Sequence, residues 1–484
     1  MATKYETLAQ SFAALIEQGT LRAGDRLPSV REVVATRGLS PSTVFEAYYL
    51  LEARGLVSAR PRSGYFVNAR PERREEPQAM HPTAGQQAVA INDVVMAVLG
   101  TVRDRRVVPL GSAFPDPALF PLERLARGMG TAMRRLDPSQ LLENLAPGNP
   151  DLRHQIALRG LAQGVPSSVD EIVITSGAME ALSLSLQAVT RPGDVVAIES
   201  PAFYGCLQVL ERLQLRAVEV ATHPRLGVQL DSLEQVLQHH PVKACWFMPT
   251  FQNPLGALMP VDKKQALVAL LARHRVPLIE DDVYAELYFG AQRPPPAKAF
   301  DREGWVMHCG SFSKSLAPGY RVGWVSAGRF AREVERLKLM GTLAVAVPSQ
   351  LAVLHFLKHG AYDRHLRRLR DVLAARQERA LRAIAQHLPA GTRVTRPEGG
   401  YFVWVELPEG VDAMALHHAA LARHISLAPG HLFSADRRFT RHIRLNVGHP
   451  RPEQSDAAIK ALGRLVSALP GQHIPFTAAK GART

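Results

Sequence analysis

Ser311-Phe312-Ser313-Lys314-Ser315-Leu316-Ala317-Pro318-Gly319-Tyr320-Arg321-Val322-Gly323 sets one lysine among hydroxyls and small residues, with an arginine seven positions on. A lysine that forms a Schiff base needs a partly desolvated setting in which its amine can lose a proton. A phosphorylated ligand needs hydroxyl donors and a permanently charged arginine beside it. This segment offers both. Standing alone, it would equally suit a loop carrying a surface lysine.

Upstream lie Thr175-Ser176-Gly177-Ala178-Met179-Glu180, then Asn253-Pro254-Leu255-Gly256, then Glu280-Asp281-Asp282-Val283-Tyr284. Each motif is weak by itself. In this order, ahead of Lys314, they resemble the fold-type I family of pyridoxal-phosphate (PLP) enzymes, the aspartate aminotransferase superfamily, over roughly residues 107 to 468. The resemblance implies that Lys314 forms the Schiff base with the cofactor aldehyde. It implies that Asp281 pairs with the pyridinium nitrogen and keeps the ring an electron sink, while Tyr284 and Asn253 hydrogen-bond the phenolic oxygen. Main-chain N–H groups of Gly177 and Ala178 would hold the phosphate, helped by Ser311, Ser313 and Arg321. In Ser200-Pro201-Ala202-Phe203-Tyr204-Gly205, Phe203 is the ring expected to stack on the cofactor, with Tyr204 the alternative. Arg444, in His442-Ile443-Arg444-Leu445-Asn446, would hold a substrate or effector carboxylate. The catalytic set is then Lys314, Asp281 and Tyr284. The family often places a tyrosine from the neighbouring subunit on the phosphate, but Leu142-Glu143-Asn144-Leu145-Ala146-Pro147-Gly148-Asn149 carries none.

The surrounding pattern is α/β. Strand-like runs at 171–175, 195–198, 245–248, 277–280 and 305–308 alternate with helical segments such as 179–190. Such alternation predicts a mainly parallel sheet with helices on both faces and a ligand site at the strands' carboxyl ends. The large lobe is expected over about 122–328. A smaller α/β lobe follows from about 329, with a strand at 400–405. Between Arg364 and Arg382 many arginines accompany an apolar stripe of Leu366, Leu369, Leu373, Leu381 and Ile384, which reads as a helix with one solvated face.

Residues 4–67 form a separate unit. Leu8, Phe12, Leu15 and Ile16 recur at helical spacing, and Gly19 ends that helix. A second helix runs from Pro28-Ser29 to about Arg37, and a third from Pro41 to about Arg54. Residues 57–67 read as a hairpin, so the unit is a winged helix-turn-helix. Gly24-Asp25-Arg26-Leu27-Pro28-Ser29-Val30-Arg31-Glu32, Leu39-Ser40-Pro41-Ser42-Thr43-Val44 and Leu51-Glu52-Ala53-Arg54-Gly55-Leu56-Val57 closely resemble the GntR family of bacterial repressors. The third helix would enter the major groove and present Ser40, Ser42 and Thr43, while Arg31, Arg60 and Arg62 hold the DNA backbone. Pro41 and Phe45 stand where better-known repressors of that family often carry arginines. Affinity would then lean on phosphates and dimer avidity.

The domain expectation is 1–68 for the DNA-binding unit, 69–106 for a flexible linker with a helix at 91–106, 107–470 for the PLP-binding domain, and a loose tail at 471–484. The net charge of the 484 residues is +14, which fits an anionic partner, although most of the excess lies beyond the first unit. Three scattered cysteines give neither a disulfide framework nor a metal spacing, so no metal is expected. No apolar run approaches a membrane span and no secretory leader is evident, which makes the cytoplasm the expectation. A GntR-like winged helix ahead of an aminotransferase-like domain resembles the MocR subfamily of regulators. That resemblance implies a homodimeric transcription regulator that binds operator DNA and PLP. It would sense PLP or an amino compound through an external aldimine. The alternative is a working aminotransferase whose DNA-binding module is secondary.

Overall fold

In the computed structural model, which describes residues 3–60, 63–68, 74–82, 85–92, 95–96, 104, 106–165, 167–359 and 362–469, the first three helices each begin at a side-chain cap. α1 (Lys4–Glu17) and α2 (Val30–Arg37) start with reciprocal capping boxes, Thr3 with Glu6 and Ser29 with Glu32, so orphan N–H groups find partners. Gly38 ends α2 at φ 62°, a left-handed conformation that suits glycine. In α3 (Pro41–Ala53) the Ser40 hydroxyl accepts from the Thr43 N–H at 3.2 Å, and Pro41 occupies the first turn. β1 (Val57–Arg60) pairs antiparallel with β2 (Gly64–Val67), which completes the winged helix-turn-helix. Leu8, Phe12, Val33, Val44, Tyr48, Leu51 and Val67 share its core. Each such side chain contributes about 1.5–3 kcal/mol on burial. Tyr48 donates its hydroxyl proton to the Pro28 carbonyl at 2.5 Å, which ties α3 to the start of α2.

The connector departs from the flexible linker its composition predicts. Arg74 donates to the carbonyls of Ala385 and Leu388, the Val394 N–H donates to the Glu75 carbonyl, and Glu76 pairs with Arg225 at 2.7 Å. Prolines and charges read as a solvated tether, yet here the charges find partners on the large body. Of the expected helix at 91–106, residues 93, 94, 97–103 and 105 lie outside the described residues, as does the tail from 470.

Among the described residues the main sheet has nine strands, one of which, Gly227–Val228, only flanks Arg216–His223. Its principal order is β3-β6-β5-β7-β8-β9-β10-β4, where β3 is Gln87–Ala88, β4 Ile172–Thr175, β5 Val195–Ser200, β6 Arg216–His223, β7 Val242–Phe247, β8 Leu278–Asp281, β9 Val306–Ser311 and β10 Gly323–Ser326. The central pairs β6/β5, β5/β7, β7/β8 and β8/β9 are parallel. β10 runs antiparallel to both β9 and β4, so β4 points the same way as the central strands. β4, β5, β8 and β9 are buried along their whole length, so each opens on successive apolar residues rather than an alternation, with Glu199, Glu280, Asp281 and His308 following within the strands. Helix α4 (Ala178–Val189) packs on this sheet. The smaller lobe is a four-stranded sheet that includes Phe402–Glu406 and His442–Asn446. The arginine-rich helix α5 (Tyr362–His387) buries Leu366, Leu369, Leu373 and Ile384, and its residue Arg382 also meets the DNA-binding unit at Gly55.

Candidate cofactor site and DNA-binding face

The motifs converge because they sit at one edge of the sheet. β4 ends at Thr175 and hands Ser176 and Gly177 to the start of α4; β8 ends at Asp281; β9 ends at Ser311, three residues before Lys314. That edge is the carboxyl end of the parallel strands.

Lys314 is half-buried, and its amine is held down to about pKa 7 by burial and by the nearby Arg444 and Arg321 guanidinium groups. Asp281 is buried, and desolvation, helped by Asp282, pushes its carboxyl up to about 7. Its Oδ1 has no hydrogen-bond partner among the described residues. An orphaned buried acceptor is costly, and a pyridinium N–H is the donor that would relieve it. Asn253 donates to the Tyr284 hydroxyl at 3.4 Å, and both side chains are fully enclosed. Glu199, which sequence reading passed over inside an apolar strand, lies near Asp281. Burial raises its carboxyl to about 8, so it adds no second full charge there at neutral pH.

Around Gly177 the chain forms a cradle for an anion. Arg321 donates to Ser313 Oγ at 3.1 Å and to the Ser176 carbonyl at 2.9 Å, and Ser311 Oγ lies 3.0 Å from Ser313 Oγ. Gly177 adopts φ 86°, and a Cβ there would run into the Arg321 guanidinium. The Gly177 N–H itself donates to the Thr175 carbonyl at 2.8 Å, so the hydroxyls and the guanidinium, rather than that N–H, line the cradle at the start of α4. Phe203 stays half-buried with its ring over Gly205 and near Met179. Tyr204, the alternative, is turned into the core against Phe433. The open ring is thus Phe203.

Arg444 is fully buried. It donates to Asn253 Oδ1 at 3.2 Å and to the carbonyls of Gly111 and Ser112, its guanidinium carbon lies 4.2 Å from the Phe402 ring centroid, and its Nε has no hydrogen-bond partner among the described residues. The strap Gly111–Phe114 also reaches Lys314, whose Nζ donates to the Ala113 carbonyl and sits 3.8 Å from the Phe114 ring centroid. Asn446 fastens the strap through the carbonyls of Ser112 and Phe114, and Tyr401 donates to the Ala113 carbonyl. In the sequence Asn446 is only a neighbour of Arg444, and Tyr401 one residue of the strand expected at 400–405. Their role depends on contacts more than 280 positions away along the chain, which leave no local signal.

On the DNA-binding unit, Ser42, Arg31 and Arg60 are exposed, and Ser40 and Thr43 are engaged in the cap of α3. Arg60 lies over the Phe66 ring at 4.3 Å, which fixes it at the end of β1. Arg62 lies outside the described residues. Among those residues, no group of acidic, histidine and cysteine side chains could hold a metal ion, the three cysteines are buried thiols, and no helix is long and apolar enough to cross a membrane.

Comparisons with known proteins separate the same two parts. Residues 129–462 match the family described as aminotransferase class I and II, and residues 4–67 match the bacterial regulatory proteins of the gntR family. The chain is 50% identical to the uncharacterized HTH-type transcriptional regulator YdcR of Escherichia coli (strain K12), across 96% of this chain and 99% of that protein. It is 36% identical, over the same shares, to a second such regulator of that organism, YjiR. Among solved structures, LysN, the alpha-aminoadipate aminotransferase of Thermus thermophilus, complexed with N-(5'-phosphopyridoxyl)-L-leucine, superposes with a TM-score of 0.70 at 29% identity. That match covers 79% of this chain and 99% of that one.

Proposed function

The chain belongs to the aminotransferase class I and II family and carries a gntR-type unit ahead of that domain, and on this premise we propose that it is a cytoplasmic, PLP-binding transcription regulator. The observation that carries the reading is a lysine amine held near neutrality beside a buried carboxylate with an orphaned oxygen, in a chain that also presents a capped recognition helix.

When bound, PLP supplies an electrophilic aldehyde and an electron-withdrawing ring. Lys314 would offer the amine that holds the aldehyde, and the Asp281 carboxylate would accept a hydrogen bond from the pyridinium N–H and keep that nitrogen protonated. Asn253 and Tyr284 would set the polarity at the phenolic oxygen, and Phe203 would cover the ring. The Ala178 N–H, Ser311, Ser313 and Arg321 would hold the phosphate, and the Gly177 N–H would join them only by giving up the Thr175 carbonyl. Arg444 is the cation placed for the carboxylate of an amino compound, in exchange for the strap carbonyls it now holds.

An effector moves the DNA-binding units only if it binds two arrangements of the protein differently. A homodimer supplies such arrangements. Leu142, Met340 and Leu343 are exposed apolar side chains on two segments joined where Leu145 bridges Ala344, the kind of surface a second copy would cover. A footprint on the DNA flanking the gene, with and without PLP and candidate amines, tests the proposal. Protection that changes with PLP or an amine is the expected result, and protection indifferent to all of them would refute effector sensing. The same residues also make up a full set for transamination. Rapid multiple turnover without binding to any promoter fragment would favour the enzyme instead.

A further inference from the structure

The recognition helix carries an unusual surface. Phe45 and Tyr49 are 42% and 54% exposed, one helical turn apart, with ring centroids 6.3 Å apart and planes 25° from parallel. The opposite face of α3 is fully committed to the core through Val44, Ala47, Tyr48 and Leu51. The two rings therefore form a preorganised apolar pair facing solvent on the surface that also carries Ser42 and Glu46.

We propose that Phe45 and Tyr49 read thymine C5-methyl groups in the major groove, so that apolar contact supplies base selection in this protein. The inference rests on the chain being a DNA-binding regulator and adds what it selects. α3 contains no arginine, lysine, asparagine or glutamine, the side chains that read guanine or adenine bidentately. The hydroxyls of Ser40 and Thr43 are engaged with each other at the cap. Glu46 repels phosphates and can only accept, from a cytosine or adenine amine. Among base edges the thymine methyl is the group that matches an aromatic ring. Residues four apart are separated by about 6 Å along the helix axis, which spans about two base-pair steps of ~3.4 Å. The cations that would fix the helix against the backbone, Arg31 and Arg60, are exposed on α2 and at the end of β1, the elements that pack against α3. A patch of two side chains is far below the roughly 800 Å² per partner of a stable protein interface, which argues against a protein occupant.

The test uses the full-length protein and a randomised duplex library. The wild type is expected to enrich sequences with thymines at fixed positions, and Phe45→Ser with Tyr49→Ser to lose that preference while still binding DNA. Replacing those thymines with deoxyuridine removes only the methyl groups and leaves the protein untouched. Wild-type affinity should fall about fourfold per methyl, and the double variant should bind both duplexes alike. Equal wild-type affinity for the thymine and uracil duplexes overturns the contact and leaves DNA binding standing. If the two substitutions alter subunit association but not base preference, the pair serves a protein interface and the proposal falls. If no duplex is enriched at all, the regulator reading fails and takes this one with it.

Discussion

The Lys314 amine donates a 2.8 Å hydrogen bond to the main-chain oxygen of Ala113, so the candidate Schiff-base lysine is capped by a strap from a remote part of the chain. The same strap accepts from Arg444 through Gly111 and Ser112. Two groups that an amino compound would need are thus covered by one segment, and an incoming carboxylate must displace it.

Asn446 anchors that strap through the carbonyls of Ser112 and Phe114. Asn446→Ala should cost about 1–3 kcal/mol in stability, because buried acceptors lose their donor. Hydroxylamine should also strip PLP from this variant several-fold faster than from the wild type. Stripping at the wild-type rate would show that the strap does not guard the site.

Asp281 makes stability depend on pH. Its folded-state pKa lies near 7, above the unfolded value, so ionisation costs the folded protein stability progressively as pH rises from about 4 to 7. Above that window the full penalty applies, on the order of 4 kcal/mol. Asp281→Asn should therefore raise the Tm of the cofactor-free protein at pH 8, with the gain fading as pH falls from about 7 to 4, and should weaken PLP binding. Melting curves across pH decide it, and a gain that persisted at pH 3 would exclude ionisation as the cause.

Lys314 must be neutral to attack an aldehyde, and its amine is held at about 7. Attachment of PLP should accelerate as pH rises through 7 and level off well before 10. Lys314→Ala should abolish the borohydride-fixed mass adduct. An adduct retained in that variant would place the attachment on another lysine.

Gly177→Ala would put a methyl group against the Arg321 guanidinium at a backbone angle that L residues rarely adopt. With ψ at 173° this is the positive-φ extended region kept essentially for glycine, and holding another residue there costs on the order of 1–3 kcal/mol. PLP affinity should drop at least tenfold as the cradle opens. Cofactor titration followed by absorbance would measure this, and unchanged affinity would move the phosphate elsewhere.

Arg31→Ala and Arg60→Ala each remove one exposed cation beside the recognition helix. Each should weaken binding about equally for all DNA sequences and lower the slope of log affinity against log salt by about 1. A loss confined to one sequence would mean base contact instead.

The parts of this protein that could be read in the sequence are those set by short-range rules. The strand at 195–198 is legible because burial on both faces demands apolar residues at successive positions, and the starts of α2 and α3 because Pro28-Ser29 and Pro41 suit the opening of a helix. The docking of the connector leaves no mark in the sequence, because nothing near Arg74, Glu75 or Glu76 in the chain announces the carbonyls and charges they meet. Phe203 and Tyr204 could not be separated by type or spacing; which ring stays open depends on Tyr204 finding room against Phe433.

The sequence by itself determined the kinds of groups present and the strand ends from which they project, since both follow from side-chain chemistry and local periodicity. Only the tertiary structure decided that Lys314 and Arg444 share one cover, that Asp281 loses its solvent, and that Phe45 and Tyr49 keep theirs. Burial and close approach are properties of packing between distant segments, and no single stretch of the chain carries them.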